Sequence, residues 1–231
     1  MVLTMAIDRW GGSEPLAKIS MLKFVGGFMR PGSAYALPKE ELVKLPGYGT
    51  DIAKAREEAK KLLKEAGVEN LKVNFVNRNI AEPYTPAGIY VVDQWKRIGV
   101  ETDHKQLETK LYFDAQANRD FDVTIEFIAE FVDDPSIQLQ KLLSKDKSKA
   151  SLSGHTDKEV DALFDKQARV VDSAERIKLV QALDKRITDQ AYASMLFWWQ
   201  RIIVINAKVK GWELHAAHFT GQDLSNVWLD Q

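Results

Sequence analysis

The chain has 231 residues, with 32 Lys and Arg against 33 Asp and Glu, so its formal charge is −1. Apolar residues make up 45% and charged residues 28%, the composition of a globular protein with enough material for a sizeable core. A sequence pI near 6.5 argues against nucleic acid as a partner, since a duplex-binding surface must be basic, and the absence of cysteine excludes thiol nucleophiles, disulfides and thiolate metal sites.

Met1–Arg9 reads as a helix fragment. Its apolar start runs straight into Asp8 and Arg9 with no basic stretch ahead of it, unlike a signal peptide. Residues 10–50 are rich in Gly and Pro and predict a long loop-rich segment, with one short helix near Leu16–Phe24. From Asp51 the pattern is clear. Ile52, Ala55, Ala59, Leu62, Leu63 and Ala66 fall at helical spacing, and Gly67 stands where a helix ends. Leu71, Val73 and Phe75 alternate with polar residues as a strand. Pro86 opens a helix carrying Ile89, Val92, Trp95 and Ile98, stopped by Gly99. Val100–Leu107 predicts a strand, and Thr109–Asn118 a helix with Leu111, Tyr112 and Ala115 inward.

Phe121–Phe131 predicts a long strand. Phe121, Val123, Ile125, Phe127, Ala129 and Phe131 share one face, and Asp122, Glu126 and Glu130 share the other. Asp134-Pro135 ends it, and a short helix follows over Ile137–Leu143. Thr156 and Glu159 have the spacing of a capping box. Two helices follow, one with Val160, Leu163, Phe164, Ala168 and Val171 buried, the other with Ile177, Val180, Leu183 and Ile187, a pair suited to covering one face of a sheet. Met195–Ile205 predicts a strand buried on both faces for most of its length. At this length, and interrupted by Gln200 and Arg201, it is too short to be a membrane helix, which needs about 18 apolar residues. The alternation of strands and helices predicts one α/β domain over residues 1–231, with a mixed sheet flanked by helices.

Motifs for chemistry are sparse. Ser20-Met21-Leu22-Lys23 has the Ser-x-x-Lys pattern of penicillin-recognising enzymes but lacks the companion motifs. His215 and His218 are three apart without a local acidic partner, so no metal site and no cofactor are expected. Asp122, Glu126 and Glu130, evenly spaced on one face of a strand that rises about 6.6 Å for every two residues, are the candidate acid/base groups of a hydrolase or else a solvated sheet face. Trp198 and Trp199 must point to opposite faces, one into the core and one free to meet a ligand.

Several phrases in order resemble the second lobe of family 5 extracellular solute-binding proteins, the peptide, oligopeptide and nickel receptors of ABC importers. They are Leu3–Arg9 (LTMAIDR), Ala53–Gly67 (AKAREEAKKLLKEAG), Asp93–Val100 (DQWKRIGV), Phe121-Asp122-Val123 with Asp134-Pro135, Asp161-Ala162-Leu163 with Arg176, and Val209-Lys210-Gly211-Trp212. The resemblance implies the second lobe of a class II periplasmic-binding-protein-like fold, with the first lobe and the signal outside this chain. It implies a binding protein rather than an enzyme, periplasmic, which takes a small-molecule or peptide-like ligand between its lobes and delivers it to a membrane permease. Residues 212–231 would meet the other lobe, and an isolated lobe would expose an apolar surface through which it can self-associate. The implied cleft residues are Glu108, Thr109, Phe127, Ile128, Ala129, Glu130, Phe131, Trp198 and Trp199.

The pattern departs from that of peptide-binding members, which carry Gly-Trp-x-x-Asp after the Phe-Asp strand, the Asp meeting a peptide amino terminus. Here Ile128 stands at the Trp position and Phe131 at the Asp position, while Thr109 replaces a Trp that often precedes the next helix. A ligand without a free α-ammonium group is therefore expected. A stand-alone hydrolase using Asp122, Glu126 and Glu130, or an interaction module using residues 10–50, are the alternative functions.

Overall fold

The structure, a computed structural model, describes residues 1–128, 132–200, 202–215 and 223–230. Ala129, Glu130, Phe131 and His218 lie outside the described residues. The chain opens with α1 (Val2–Met5) and α2 (Arg9–Ile19), then β1 (Leu22–Phe24), α3 (Lys39–Leu42) and α4 (Ile52–Glu65). The centre is β2 (Lys72–Arg78), α5 (Tyr84–Lys96), β3 (Glu101–Leu107), α6 (Thr109–Asn118) and β4 (Val123–Thr124). After α7 (Pro135–Gln138) and a 3₁₀ turn come α8 (Lys158–Gln167) and α9 (Ser173–Gln190), then the short strands β5 (Trp198–Trp199), β6 (Val209–Lys210) and β7 (Trp228–Leu229).

Strands β3, β2 and β4 form a parallel sheet in that order, with Phe75 opposite both His104 and Val123. Strand β2 is central, and Val73, Phe75, Val76 and Asn77 are buried in it. Helices α5 and α6 are the crossovers that parallel neighbours require. Two antiparallel ribbons, β1 with β5 and β6 with β7, complete the described strands. Parallel and antiparallel pairs thus coexist with flanking helices in one α/β fold.

Two apolar clusters dominate. The first joins Ala6, Ile7, Ala59, Leu63, Val73, Phe75, Val91, Trp95, Ile98 and Val100 around the sheet. The second joins Val160, Val180, Leu183 and Ile187 of α8 and α9 to Phe28, Met29, Leu139, Leu142 and Leu143. The helix pair therefore packs on loop and 3₁₀ segments, not on a sheet as its pattern suggested. Asp157, rather than Thr156, caps α8, its carboxylate accepting from Glu159 N at 2.9 Å and Val160 N at 3.2 Å. Val171 is 97% exposed beyond the end of α8, and Leu111 and Ile89 also face outward.

Three further expectations change. Residues 10–19 are helical, not loop, and Leu22–Phe24 is a strand, not a helix. Asp8 caps α2 through Gly11 N at 2.7 Å, and Gly12 is needed because a Cβ there would lie 2.0 Å from the Tyr90 hydroxyl. The predicted strand Phe121–Phe131 is a two-residue ladder within its described part. Side chains take the next backbone groups: the Tyr112 hydroxyl donates to Ile125 O, Glu126 accepts from Phe127 N at 2.8 Å, and Lys141 donates to Phe127 O at 2.9 Å. Among its described residues Met195–Ile205 is likewise a strand only at Trp198–Trp199, and Ile202 is 67% exposed.

The first fifty residues are ordered by one buried cation. Arg9 is almost wholly buried, and it donates from Nε to Met195 O (2.8 Å), from Nη1 to Thr4 O (3.1 Å) and Gly47 O (2.5 Å), and from Nη2 to Thr4 Oγ1 (2.8 Å) and Ser194 Oγ (2.6 Å). These contacts use every N–H a guanidinium has. Arg9→Leu strands buried acceptors from three segments and is expected to cost about 4 kcal/mol. Arg9→Lys, which cannot span the same acceptors, should recover only part of that loss. Urea unfolding followed by far-UV dichroism checks both, and an Arg9→Leu midpoint equal to wild type would refute the assignment.

Candidate binding cleft

A cavity of about 750 Å³ opens where the clusters meet. Its walls are mainly apolar: Phe75 and Trp95 from the sheet side, Phe28 and Leu142 from the helix-pair side, and Phe24 and Phe197 beside the β1–β5 ribbon. The run Phe121–Ile128 forms one rim. An apolar concavity with a few placed polar groups is the form of a small-molecule site.

Four of the cleft residues inferred from sequence come together here: Phe127, Ile128, Trp198 and Trp199 all line the cavity. Trp198 is fixed by its indole N–H, which donates to Gly27 O at 2.9 Å. Trp199 points the other way and is 43% exposed. The two tryptophans also bound a smaller hollow with Phe24, Arg30 and Pro31. Glu108 and Thr109 do not line the cavity. They stand at the carboxyl end of β3, where Glu108 caps α6 through Lys110 N at 3.0 Å and the Thr109 hydroxyl accepts from Arg78 Nε at 3.1 Å.

The polar groups of the cavity come from distant segments. Lys141 Nζ lies 3.5 Å from Glu126 and 4.6 Å from the centroid of the Phe127 ring. Arg30 pairs with Asp133 at 2.7 Å while its Nε is buried without a partner. Local sequence carries no signal for Arg30 or Lys141, because each is brought in by a loop or turn whose path depends on tertiary packing. The two described carboxylates of the proposed acid/base face are occupied. Asp122 accepts from Asn74 N at 2.7 Å, and Glu126 accepts from Phe127 N, from Gln116 Nε2 at 3.2 Å and from the Tyr112 hydroxyl at 3.3 Å. Among the described residues no group of three or more His, Asp and Glu is placed to hold a metal ion.

Residues 21–150, more than half of the chain, match the model of the bacterial extracellular solute-binding proteins, family 5 middle region. The chain belongs to this family. Solved structures with the same fold include the periplasmic binding protein DppA from Helicobacter pylori in complex with the peptide STSA (19% identity, TM-score 0.76, covering 100% of this chain and 43% of that one). They also include the dipeptide binding protein from Pseudoalteromonas sp. SM9913 in complex with Met-Leu (20%, 0.75, 99% and 44%) and the ABC transporter substrate binding protein CtaP from Listeria monocytogenes (23%, 0.74, 99% and 46%). The chain thus spans less than half the length of these structures. No curated protein sequence matches it. The family and these neighbours are binding proteins. Among the described residues no helix is long and apolar enough to cross a membrane.

One wall of the cavity depends on a buried acid. Asp184 on α9 is fully buried and accepts from Phe28 N at 2.9 Å, which holds the Phe28 ring at the cavity. Burial pushes its carboxyl from 3.8 up to about 6, against the pull of the Phe28 and Met29 amides and the Thr188 hydroxyl. The folded protein therefore holds this proton more tightly than the unfolded chain, and stability falls as pH rises from about 4 through about 6. The full shift corresponds to about 3 kcal/mol. Asp184→Asn should flatten that slope, read as the urea midpoint between pH 4 and 7. An unchanged slope would assign the pH dependence to other groups.

Proposed function

We propose that the chain is the second lobe of a periplasmic solute receptor of an ABC importer, binding a peptide-like or other small organic solute in an interlobe cleft and delivering it to a membrane permease. Phe127, Ile128, Trp198 and Trp199 would face the ligand across the cavity, with Ala129, Glu130 and Phe131 continuing that rim and Glu108 and Thr109 at the neighbouring sheet edge. The observation that carries this reading is the large apolar cavity walled by paired tryptophans in a chain of the solute-binding family. The other lobe would supply the opposite wall. The exposed Ile202 and Trp228 (56% exposed) are apolar surface of the kind such a lobe would cover, or through which the lone chain would self-associate.

The ligand's charge follows from the cavity's acids. Asp122 and Glu126, the acids among the described residues of the cavity, are already hydrogen-bonded, and Phe131 stands where peptide receptors carry an Asp, so neither described carboxylate is left over to clamp an α-ammonium group. A receptor of micromolar affinity has roughly −8 kcal/mol of binding free energy, and a lobe supplying half of it retains roughly −4, which is millimolar. Titration of the chain with unmodified and N-acetylated dipeptides, followed by tryptophan fluorescence and light scattering, is expected to show binding near the millimolar range with the acetylated set tighter. Submicromolar binding by a monomer would refute the two-lobe reading, and a preference for unmodified dipeptides would refute the charge argument.

A further inference from the structure

Lys141 stands on the 3₁₀ turn Leu139–Leu142, whose two leucines are buried in the α8–α9 cluster. Its side chain leaves that cluster and reaches the Phe121–Ile128 rim of the cavity, which it also lines. Among the lysines that form ion pairs within the described residues it is the least exposed, at 27% of its side chain.

Three groups receive its ammonium. Nζ donates to Phe127 O at 2.9 Å, lies 3.5 Å from Glu126 Oε1 and stands 4.6 Å from the centroid of the Phe127 ring. A carbonyl oxygen and a carboxylate accept the N–H bonds of a primary ammonium, and an aromatic face attracts its charge. Two adjacent residues supply all three. Glu126 is placed without help from Lys141: Oε1 accepts from Phe127 N at 2.8 Å, and Oε2 accepts from Gln116 Nε2 at 3.2 Å and from the Tyr112 hydroxyl at 3.3 Å. Those donors are neutral. Among the described residues Lys141 is the cation that Glu126 pairs with.

We propose that Lys141 sets the charge class of the solute: Glu126 and Phe127 form an ammonium subsite on the cavity rim, and the chain's own Lys141 ammonium fills it. The inference rests on the solute-binding reading and deepens its charge argument by tracing the exclusion of free ammonium groups to one side chain. A solute with a free ammonium meets an occupied subsite and a like charge, whereas an acylated or otherwise uncharged end meets neither, so Lys141 is a repulsive element aimed at one class of ligand. Removing Lys141 reverses the selection. It leaves a largely buried carboxylate, already held in place, short of one cation at a point the cavity reaches.

The test uses the chain labelled with ¹⁵N, as wild type, Lys141→Ala and Lys141→Met. n-Propylammonium carries the atoms that Lys141→Ala removes, Cγ to Nζ, and n-propanol is its uncharged counterpart. Alanyl-phenylalanine and its N-acetyl form are the solutes. The Phe127 amide resonance reports the subsite, and the Trp198 and Trp199 indoles report the cavity. Propylammonium is expected to shift the Phe127 amide of Lys141→Ala saturably, at least about tenfold more tightly than in wild type, and propanol to leave it unmoved. The preference for the acetylated dipeptide should fall about tenfold in Lys141→Ala. It should fall less in Lys141→Met, which removes the charge, keeps the bulk and takes up no propylammonium. Equal responses to propylammonium and propanol, or equal propylammonium binding by wild type and Lys141→Ala, would overturn the proposal. Where Lys141→Ala does not fold, the Lys141→Met chain decides: a reduced acetyl preference supports the subsite and an unchanged one overturns it. Indole shifts by both dipeptides, with the preference unchanged in all three chains, would overturn the subsite and leave the cavity reading standing. Propylammonium binding at Phe127 of Lys141→Ala, with indoles silent to both dipeptides, would do the reverse.

Discussion

A positive charge buried without a carboxylate sets the geometry of the N-terminal half. Taking a guanidinium out of water costs several kcal/mol, and the cost is met only when each N–H finds an acceptor. Arg9 does this with neutral groups alone, from α1, from the loop at Gly47 and from Ser194–Met195, with the Tyr48 ring 4.5 Å away over its face. Burial lowers its pKa from the ordinary value, though the group stays an arginine in every sense that matters for charge. The acceptors must converge, and that forces the neighbours. Gly47 sits at φ +82, and a Cβ there would come within 2.5 Å of the Thr4 carbonyl. Ser194 and Met195 lead directly into the tryptophans of β5, so the same cation fixes where the aromatic wall of the cavity begins.

The elements legible in the sequence are those that settle their own ends and bury one face. Helix α4 has an Asp51 cap that accepts from Lys54 N at 3.0 Å and a Gly67 at φ +69 after its end, and Ala59 and Leu63 supply its buried stripe. Gly99 at φ +85 closes α5 in the same way. The misread elements owe their conformation to partners remote in sequence. Gly11, Gly12 and Pro15 disfavour a helix locally, yet α2 forms because the Tyr90 hydroxyl packs at Gly12 and donates to Asp8 O. The alternation over Phe121–Ile128 is real, but beyond the pairing of Val123–Thr124 with β2 the carbonyls of Ile125 and Phe127 go to Tyr112 and Lys141 instead of a neighbouring strand. Alternation reports which side chains share a face, not whether a ladder exists to pair the backbone.

The cleft was legible to the same extent and for the same reason. Phe127, Ile128, Trp198 and Trp199 announce themselves as apolar runs, and the order of short phrases places them in the family. Lys141 and Arg30 carry no comparable local mark. A charged residue in a loop or turn is ordinary, and only the packed chain reveals that Lys141 covers the Phe127 ring or that Arg30 meets Asp133 at the cavity. Glu108 and Thr109 sit beside Arg78, one edge away from the cavity they were grouped with.

The division of labour between the two clusters follows from how they meet. The sheet cluster is closed by parallel pairing and two crossover helices, whereas the α8–α9 cluster reaches the cavity through Phe28 and Leu142 in segments with little regular structure. Segments of that kind hold position only through specific contacts, here the Asp184 carboxylate on Phe28 N and the Trp198 indole on Gly27 O. Both contacts grip the same short stretch of backbone from opposite sides. The cavity wall is therefore anchored at residues 27–28, while Phe24 and Trp199 beside it each stay 43% exposed. Apolar surface facing water gives up about 25 cal/mol for each Å² later covered. An anchored wall loses little freedom when it is covered, so more of that gain is available to whatever covers it.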